Sequence, residues 1–144
     1  MVSAAKYTIS AHNNYLQQFI KQLEKYQKMV DKKRFLNDEM ARDAIIKALE
    51  RVIEAMLTVG EMLIAENNFS KAETKDEIFE ILAQEKIYPE SFKEKLWGLG
   101  GFRNILVHDY VEINLELVYK NLSKGLPIFK EYSRYIAKYL IKNH

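Results

Sequence analysis

Apolar residues recur every three or four positions through most of the 144-residue chain. This spacing places them on one face of amphipathic helices. The first stripe predicts a helix from about Ala4 to Met29. After a polar connection at Asp31-Lys32-Lys33-Arg34, a second stripe predicts a long central helix, capped by Asn37 or Asp38 and ending near Asn67. Because its stripe is long and broad, we expect this second helix to form the centre of the core.

Capping residues predict where the later helices begin. Thr74 and Glu77 have capping-box spacing, which predicts a short third helix to about Glu85. Pro89 suits the first turn of a fourth helix, and Asn114 is suited to cap a final one. The fourth helix would carry Phe92, Leu96, Trp97 and Leu99.

Glycine and proline interrupt two of these patterns. Gly98 and the Gly100-Gly101 pair weaken helix formation. They predict either a break or the close approach of another helix or a ligand. Gly125 and Pro127 predict a kink or a restart in the final helix. The whole pattern predicts one all-α domain, residues 1–144, built as a bundle of four long helices and at least one short one.

Composition limits the chemistry. The chain has no Cys, three His and a net charge of +2, from 22 Lys and Arg against 20 Asp and Glu. These counts exclude a disulfide scaffold and a thiolate metal site, and they predict neither a metal centre nor a cofactor. With no long apolar run and no signal-like N-terminus, we expect a cytoplasmic protein without a membrane span.

The candidate chemistry is concentrated in the window GLGGFRNILVHDY, residues 98–110. Asn104 and His108 share a helix face, whereas Arg103 and His108 lie about 140° apart on an ideal helix. Both could reach one cleft if the helix frays after Val107, or if a second subunit supplies the opposite wall. The alternative is a hydrogen-bonded helix end with no catalytic role.

This set of side chains is suited to phosphodiester cleavage in RNA. Histidine can act as general acid or base near neutral pH, and arginine can bind a phosphate and stabilise developing negative charge. Asn and Tyr side chains can orient a ligand by hydrogen bonds. In such a reaction the ribose 2′-hydroxyl attacks the adjacent phosphate, and no metal ligand is needed.

The segment Arg103-Asn104-x-x-x-His108-Asp109-Tyr110 resembles the R-x4-H-x-Y signature of the HepT-like branch of the HEPN superfamily. The preceding Trp97-x-x-x-Gly101-Phe102 and the later Leu126-Pro127 are also similar to the family. The resemblance covers nearly the whole chain, and 103–110 is its most specific part.

The resemblance implies an HEPN-type up-and-down bundle that forms a homodimer, with the motifs of two subunits lining one cleft. It implies a metal-independent endoribonuclease toxin with an RNA substrate. Arg103 and His108 match the catalytic pair, Asn104 is a supporting residue, and Tyr110 is both an orienting residue and the site of modification. The implied partner is a MntA-type nucleotidyltransferase antitoxin, which would adenylylate Tyr110 and could assemble with the toxin into a larger hetero-oligomer. The alternative is a non-catalytic binding subunit of such a complex.

Two further groups of residues have both a functional and a structural interpretation. Glu54 and Glu61 lie near one face of the second helix, together with Glu50, and one of them could orient Arg103 or His108. The alternative, which we favour, is a solvated face that pairs with Lys47 and Arg51. Aromatic and basic side chains of the last helix could bind RNA, but a core, a dimer interface or a solvated face is the more common role. These residues are Tyr119, Phe129, Tyr132, Tyr135, Tyr139, Lys120, Lys124, Lys130, Lys138 and Lys142.

Overall fold

All regular secondary structure in the described part of the chain is helical. The computed structural model describes residues 4–108 and 114–142, with the backbone alone at 4–6, 105, 107 and 108. The helices are α1 (Ala4–Met29), α2 (Lys32–Asn37), α3 (Glu39–Glu66), α4 (Lys75–Gln84), α5 (Glu90–Leu96), α6 (Leu99–His108) and α7 (Leu115–Lys142). The predicted all-α bundle is confirmed, with the length distributed as three long helices and four shorter ones.

Side-chain caps set several of these boundaries as predicted. Asp38, rather than Asn37, caps α3 and accepts a hydrogen bond from the amide of Ala41 at 3.1 Å. Thr74 caps α4 by accepting from the amide of Glu77 at 3.2 Å. Each cap satisfies an amide that has no partner inside its helix.

The predicted polar connection after α1 was wrong, because Lys32–Asn37 forms α2. Asp31 caps this helix by accepting from the amide of Arg34 at 2.8 Å. Phe35 is fully buried and packs against Tyr119 of α7, with ring centroids 5.4 Å apart. The cap and the buried ring stabilise a helix that is too short to persist alone.

The core lies between α1, α3 and α7, and the broad apolar stripe of α3 is its centre. Tyr132 of α7 is fully buried, and its hydroxyl donates to the carbonyl of Met56 at 2.8 Å. Burial raises the pKa of Tyr132, so the hydroxyl keeps its proton. Gly60 leaves space for this contact, since a Cβ there would lie 3.1 Å from that hydroxyl oxygen and 2.6 Å from Ile78 Cγ2.

Of the kink or restart predicted for the last helix, the restart is wrong, because α7 continues through Pro127, and the kink stays a prediction. Proline removes one backbone hydrogen bond, which would leave the carbonyl of Ser123 without its helical partner. Ser123 and Pro127 are both exposed, so water can satisfy that carbonyl. Burial of Leu126 and Phe129 on the opposite side keeps the helix on the core.

The predicted fourth helix is two helices, α5 and α6. Pro89 is the cap of α5 rather than a residue of its first turn. The helix ends at Leu96, and Gly98 has φ +87°, a left-handed conformation that favours glycine. This break allows α6 to take its own direction and to pack against α3 and α4.

Candidate functional site

The position of α6 depends on its contact with the first turn of α4. The amide of Gly100 donates to Asp76 Oδ1 at 3.3 Å, so a carboxylate of α4 satisfies an amide at the N-terminus of α6. A Cβ at Gly100 would lie only 2.6 Å from Lys75 Cβ. Of the two alternatives that the glycines raised, the structure therefore contains both the break, at Gly98, and the close helix approach, at Gly100.

This contact brings two cationic side chains to one polar atom. Lys75 Nζ donates to Asn104 Oδ1 at 3.2 Å, and Arg103 Nη1 donates to the same oxygen at 3.5 Å. Asn104 is exposed and carries no charge to balance the two cations. An anion that approaches this point would meet two donors with positive charge.

Glu54 of α3 lies against the other side of the arginine. Arg103 Nε is 2.7 Å from Glu54 Oε2, which makes an ion pair. The angle at Nε does not suit a hydrogen bond, and Nε has no hydrogen-bond partner among the described residues. The Arg103 side chain is 20% exposed and that of Glu54 is 51% exposed. An ion pair this open to solvent contributes about 0–1 kcal/mol to stability, so its main effect is to orient the guanidinium.

Glu50 and Glu61, the other two glutamates of that face of α3, form no ion pair with Arg103 in the described part of the chain and have different neighbours. Glu50 pairs with Lys47 at 3.4 Å, as the structural alternative predicted. Glu61 lines a groove of about 540 Å³ together with Lys75 and the α3–α4 loop. No ion pair within the described ranges joins Glu61 to Arg103, so of the two candidate glutamates only Glu54 contacts the arginine.

The rest of the motif is described in part. His108 is the last residue of α6, its side chain is not described, and Tyr110 lies outside the described residues. Since α6 is helical from Leu99 through His108, the positions of Arg103 and His108 are about 140° apart around its axis. The joint action of Arg103 and His108 in one cleft therefore stays a prediction.

Sequence reasoning missed Lys75 and Asp76. Both follow the Thr74 cap, and in the sequence they are ordinary first-turn residues of a helix. The Gly100-Gly101 pair was the one signal that pointed toward them. It predicted the close approach of another helix or a ligand, but it did not indicate which part of the chain would approach. Which helix end faces the glycines is decided by the tertiary fold.

Two classes of site have no support in the described residues. Among the side chains that the structure describes, which do not include that of His108, no group of three or more His, Asp or Glu is arranged to hold a metal ion. Within residues 4–108 and 114–142, no helix is long and apolar enough to cross a membrane.

The chain is similar to proteins of one family. The family described as "Ribonuclease HepT-like" matches residues 16–136. The mRNA nuclease HepT of Shewanella oneidensis is 28% identical over 102 residues, which are 71% of this chain and 77% of that protein. The tRNA nuclease HepT of Aphanizomenon flos-aquae is 26% identical over 95 residues, 66% of this chain and 65% of that protein.

The fold is also similar to a solved structure, the tri-AMPylated HEPN toxin of Shewanella oneidensis in complex with MNT antitoxin. The TM-score is 0.79 over 95% of this chain and 99% of that toxin chain, at 23% identity. At this identity the likeness establishes the helical architecture and nothing further.

The contact between α4 and α6 gives a direct test. Gly100→Ala should lower the free energy of unfolding by about 1–3 kcal/mol, because the new methyl group overlaps the Lys75 Cβ and must push the helices apart. Urea denaturation measures this loss, and hydrogen exchange should show α6 amides opening faster.

The matched control is Gly101→Ala, one residue along the same helix. Gly101 is exposed and a Cβ there would meet nothing within 4 Å. Alanine should raise the stability slightly, by up to about 1 kcal/mol, through helix propensity alone. Equal effects of the two substitutions would contradict the close contact at Gly100.

Proposed function

Because the chain belongs to the HepT-like ribonuclease family, we propose that it is an endoribonuclease toxin that cleaves RNA without a metal ion. The observation that carries the proposal is the convergence of Arg103 and Lys75 on the single neutral oxygen of Asn104. A phosphate bound there would supply the negative charge that the described side chains at this oxygen lack. We propose that the whole chain, residues 1–144, acts as one domain in the cytoplasm.

The proposed reaction needs only side chains. His108 accepts the proton of the ribose 2′-hydroxyl, whose oxygen attacks the adjacent phosphorus, and the bond from phosphorus to the 5′-oxygen breaks. A proton must then reach the leaving 5′-oxygen, and histidine in its protonated form can supply it. Arg103, oriented by Glu54, stabilises the charge that develops on the phosphate oxygens. Asn104 orients the phosphate or the arginine, and Glu61 borders the groove beside Lys75.

We propose that two copies of the chain complete the site. Helix α6 runs through His108, so one copy presents Arg103 and His108 on different sides of the helix. A two-fold dimer in which the α6 helices meet would bring the Arg103 of one copy toward the His108 of the other.

The proposed partner is a MntA-type nucleotidyltransferase antitoxin that adenylylates Tyr110. Support comes from the Shewanella oneidensis toxin, which was solved as a tri-AMPylated protein with MNT antitoxin. An adenylate on Tyr110, seven residues after Arg103, would place bulk and negative charge near the phosphate site and block RNA.

Cleavage of RNA by the purified protein in excess EDTA tests the nuclease proposal. The wild type should cleave, while His108→Ala and Arg103→Ala should each lose about 10²–10⁴-fold in rate, because each removes a proton-transfer or charge-stabilising group. Glu54→Gln should lose less, since it frees the arginine without removing it.

Two control variants match these substitutions in residue type. His12 and Arg134 lie on α1 and α7 and have no ion pair within the described residues. His12→Ala and Arg134→Ala should cleave at the wild-type rate. Intact RNA with wild type would contradict the nuclease and favour a binding subunit, whereas a His108 variant that cleaves at the wild-type rate would contradict the catalytic role of His108.

Tyr110 is tested by incubating the protein with a MntA-type nucleotidyltransferase and ATP, then weighing the intact chain. We expect added adenylate mass with wild type and a parallel loss of RNA cleavage. Tyr110→Phe should gain no mass, and its rate of RNA cleavage should be the same with and without the nucleotidyltransferase. Adenylate that still attaches to the Phe variant would place the modification elsewhere.

A further inference from the structure

Two neighbouring grooves along α7 have lysines in their linings. One groove, of about 380 Å³, lies between the α5–α6 turn and α7, and its lining includes Trp97, Phe102 and Lys124. A second groove, of about 570 Å³, lies at the start of α7, and its lining includes Lys32, Lys120 and the same Lys124. Because both grooves share Lys124, they form one track, which we name the Trp97 track.

The track adjoins both ends of the motif segment. Phe102, which lines the first groove, directly precedes Arg103 on α6. Asn114, which lines the second groove, follows His108 by six positions. The track is therefore lined by residues that are close in sequence to those that carry the proposed chemistry.

Trp97 gives the track an exposed aromatic surface. It is the C-cap of α5 and the single tryptophan of the chain. Its side chain is large and apolar, yet the residue is 68% exposed. The left-handed Gly98 that follows it turns the chain into α6. An exposed aromatic ring beside a basic groove is the arrangement on which single-stranded nucleic acids stack their bases.

The charges along the track favour a polyanion. Four lysines line it, Lys32, Lys95, Lys120 and Lys124, against one carboxylate, Glu116. All four lysines are exposed, and no carboxylate within the described ranges lies close enough to form an ion pair with any of them. Lys120 and Lys124 are four residues apart on one helix face, about 6 Å along its axis.

We propose that the Trp97 track binds single-stranded RNA, with a base stacked on Trp97 and phosphates held by the four lysines. This inference rests on the proposed function and adds to it a binding site outside the motif. It implies that the substrate is an unpaired strand, because a base in a duplex has no free face to stack on the indole. Asn121, also in the lining of the first groove, can donate to or accept from the same strand.

The same charges disfavour a second copy of this chain as the occupant of the track. A two-fold contact whose axis passes through the track would place this surface against itself, and the lysines of one copy would meet those of the other. RNA instead releases counterions from its phosphates when lysines replace them, which favours binding. A two-chain site is compatible with this provided that the copies meet outside the track.

The test uses a short single-stranded 2′-O-methyl RNA, which lacks the 2′-hydroxyl nucleophile and stays intact. Because Trp97 is the single tryptophan, fluorescence excited at the red edge of indole absorption reports on this position alone. We expect the oligonucleotide to quench this emission, whereas a duplex of the same sequence should quench it much less. Trp97→Ala should weaken binding of the single strand about tenfold in an anisotropy titration, and Trp97→Phe should weaken it less.

The lysines are tested by a double variant with a matched control. Lys120→Ala with Lys124→Ala should weaken binding and lower the slope of log affinity against log salt by about 0.7 for each lysine. Lys21→Ala with Lys25→Ala removes the same charge at the same spacing from exposed positions of α1, and should leave both quantities unchanged.

The outcomes separate this inference from the nuclease proposal. If ordinary RNA is cleaved but the Trp97 and lysine variants bind the oligonucleotide like wild type, the track is wrong and the nuclease stands. If the variants bind weakly as expected while wild type cleaves no RNA, the track stands and the nuclease fails. Emission that changes with protein concentration and not with oligonucleotide would identify the track as a contact between copies and overturn the proposal.

Discussion

The close contact between α4 and α6 at Gly100 is the constraint on which the candidate site depends. At this point the helices are so close that a methyl group on residue 100 would lie 2.6 Å from Lys75 Cβ. The same approach places Asp76 at the N-terminus of α6 and Lys75 next to Asn104. Arg103 then faces Glu54 of the central helix. One small residue thus sets the neighbours of every described polar side chain of the site.

The helices themselves could be predicted from the sequence because their signals are local. The spacing of apolar residues at every third or fourth position predicted α1, α3 and most of α7. The Asp38 and Thr74 caps predicted where α3 and α4 begin. The errors also have local causes. Residues 32–37 form a helix rather than a connection because Asp31 caps them and Phe35 is buried, and α7 does not restart at Pro127 because its opposite side is buried.

The site could be predicted only as far as its residues lie close in sequence. The window that holds Arg103 and Asn104 was found from residue chemistry and resemblance to a family. The contact of Glu54 with Arg103 was one of several possibilities, because helix geometry puts three glutamates near one face and does not say which meets α6. Lys75 could not be found, since it lies 29 positions before Asn104 in the sequence and the whole of α5 comes between their two helices.

The net charge of +2 is consistent with a protein whose basic surface is local. Lys75 and Arg103 meet at one oxygen, and four exposed lysines line the Trp97 track. Some of the remaining charges compensate one another in pairs such as Lys47 with Glu50 and Lys93 with Glu90. A polyanion would therefore be drawn to this region rather than to the protein as a whole.

We propose that two copies of the chain complete one catalytic cleft. The most direct test of this shared cleft combines two inactive variants in one dimer. Arg103→Ala and His108→Ala chains with different tags are expressed together, and the mixed dimer is isolated by two affinity steps. If Arg103 of one copy acts with His108 of the other, the mixed dimer should cleave RNA far faster than either parent, because one cleft keeps both groups. A mixed dimer no more active than its parents would contradict the shared cleft.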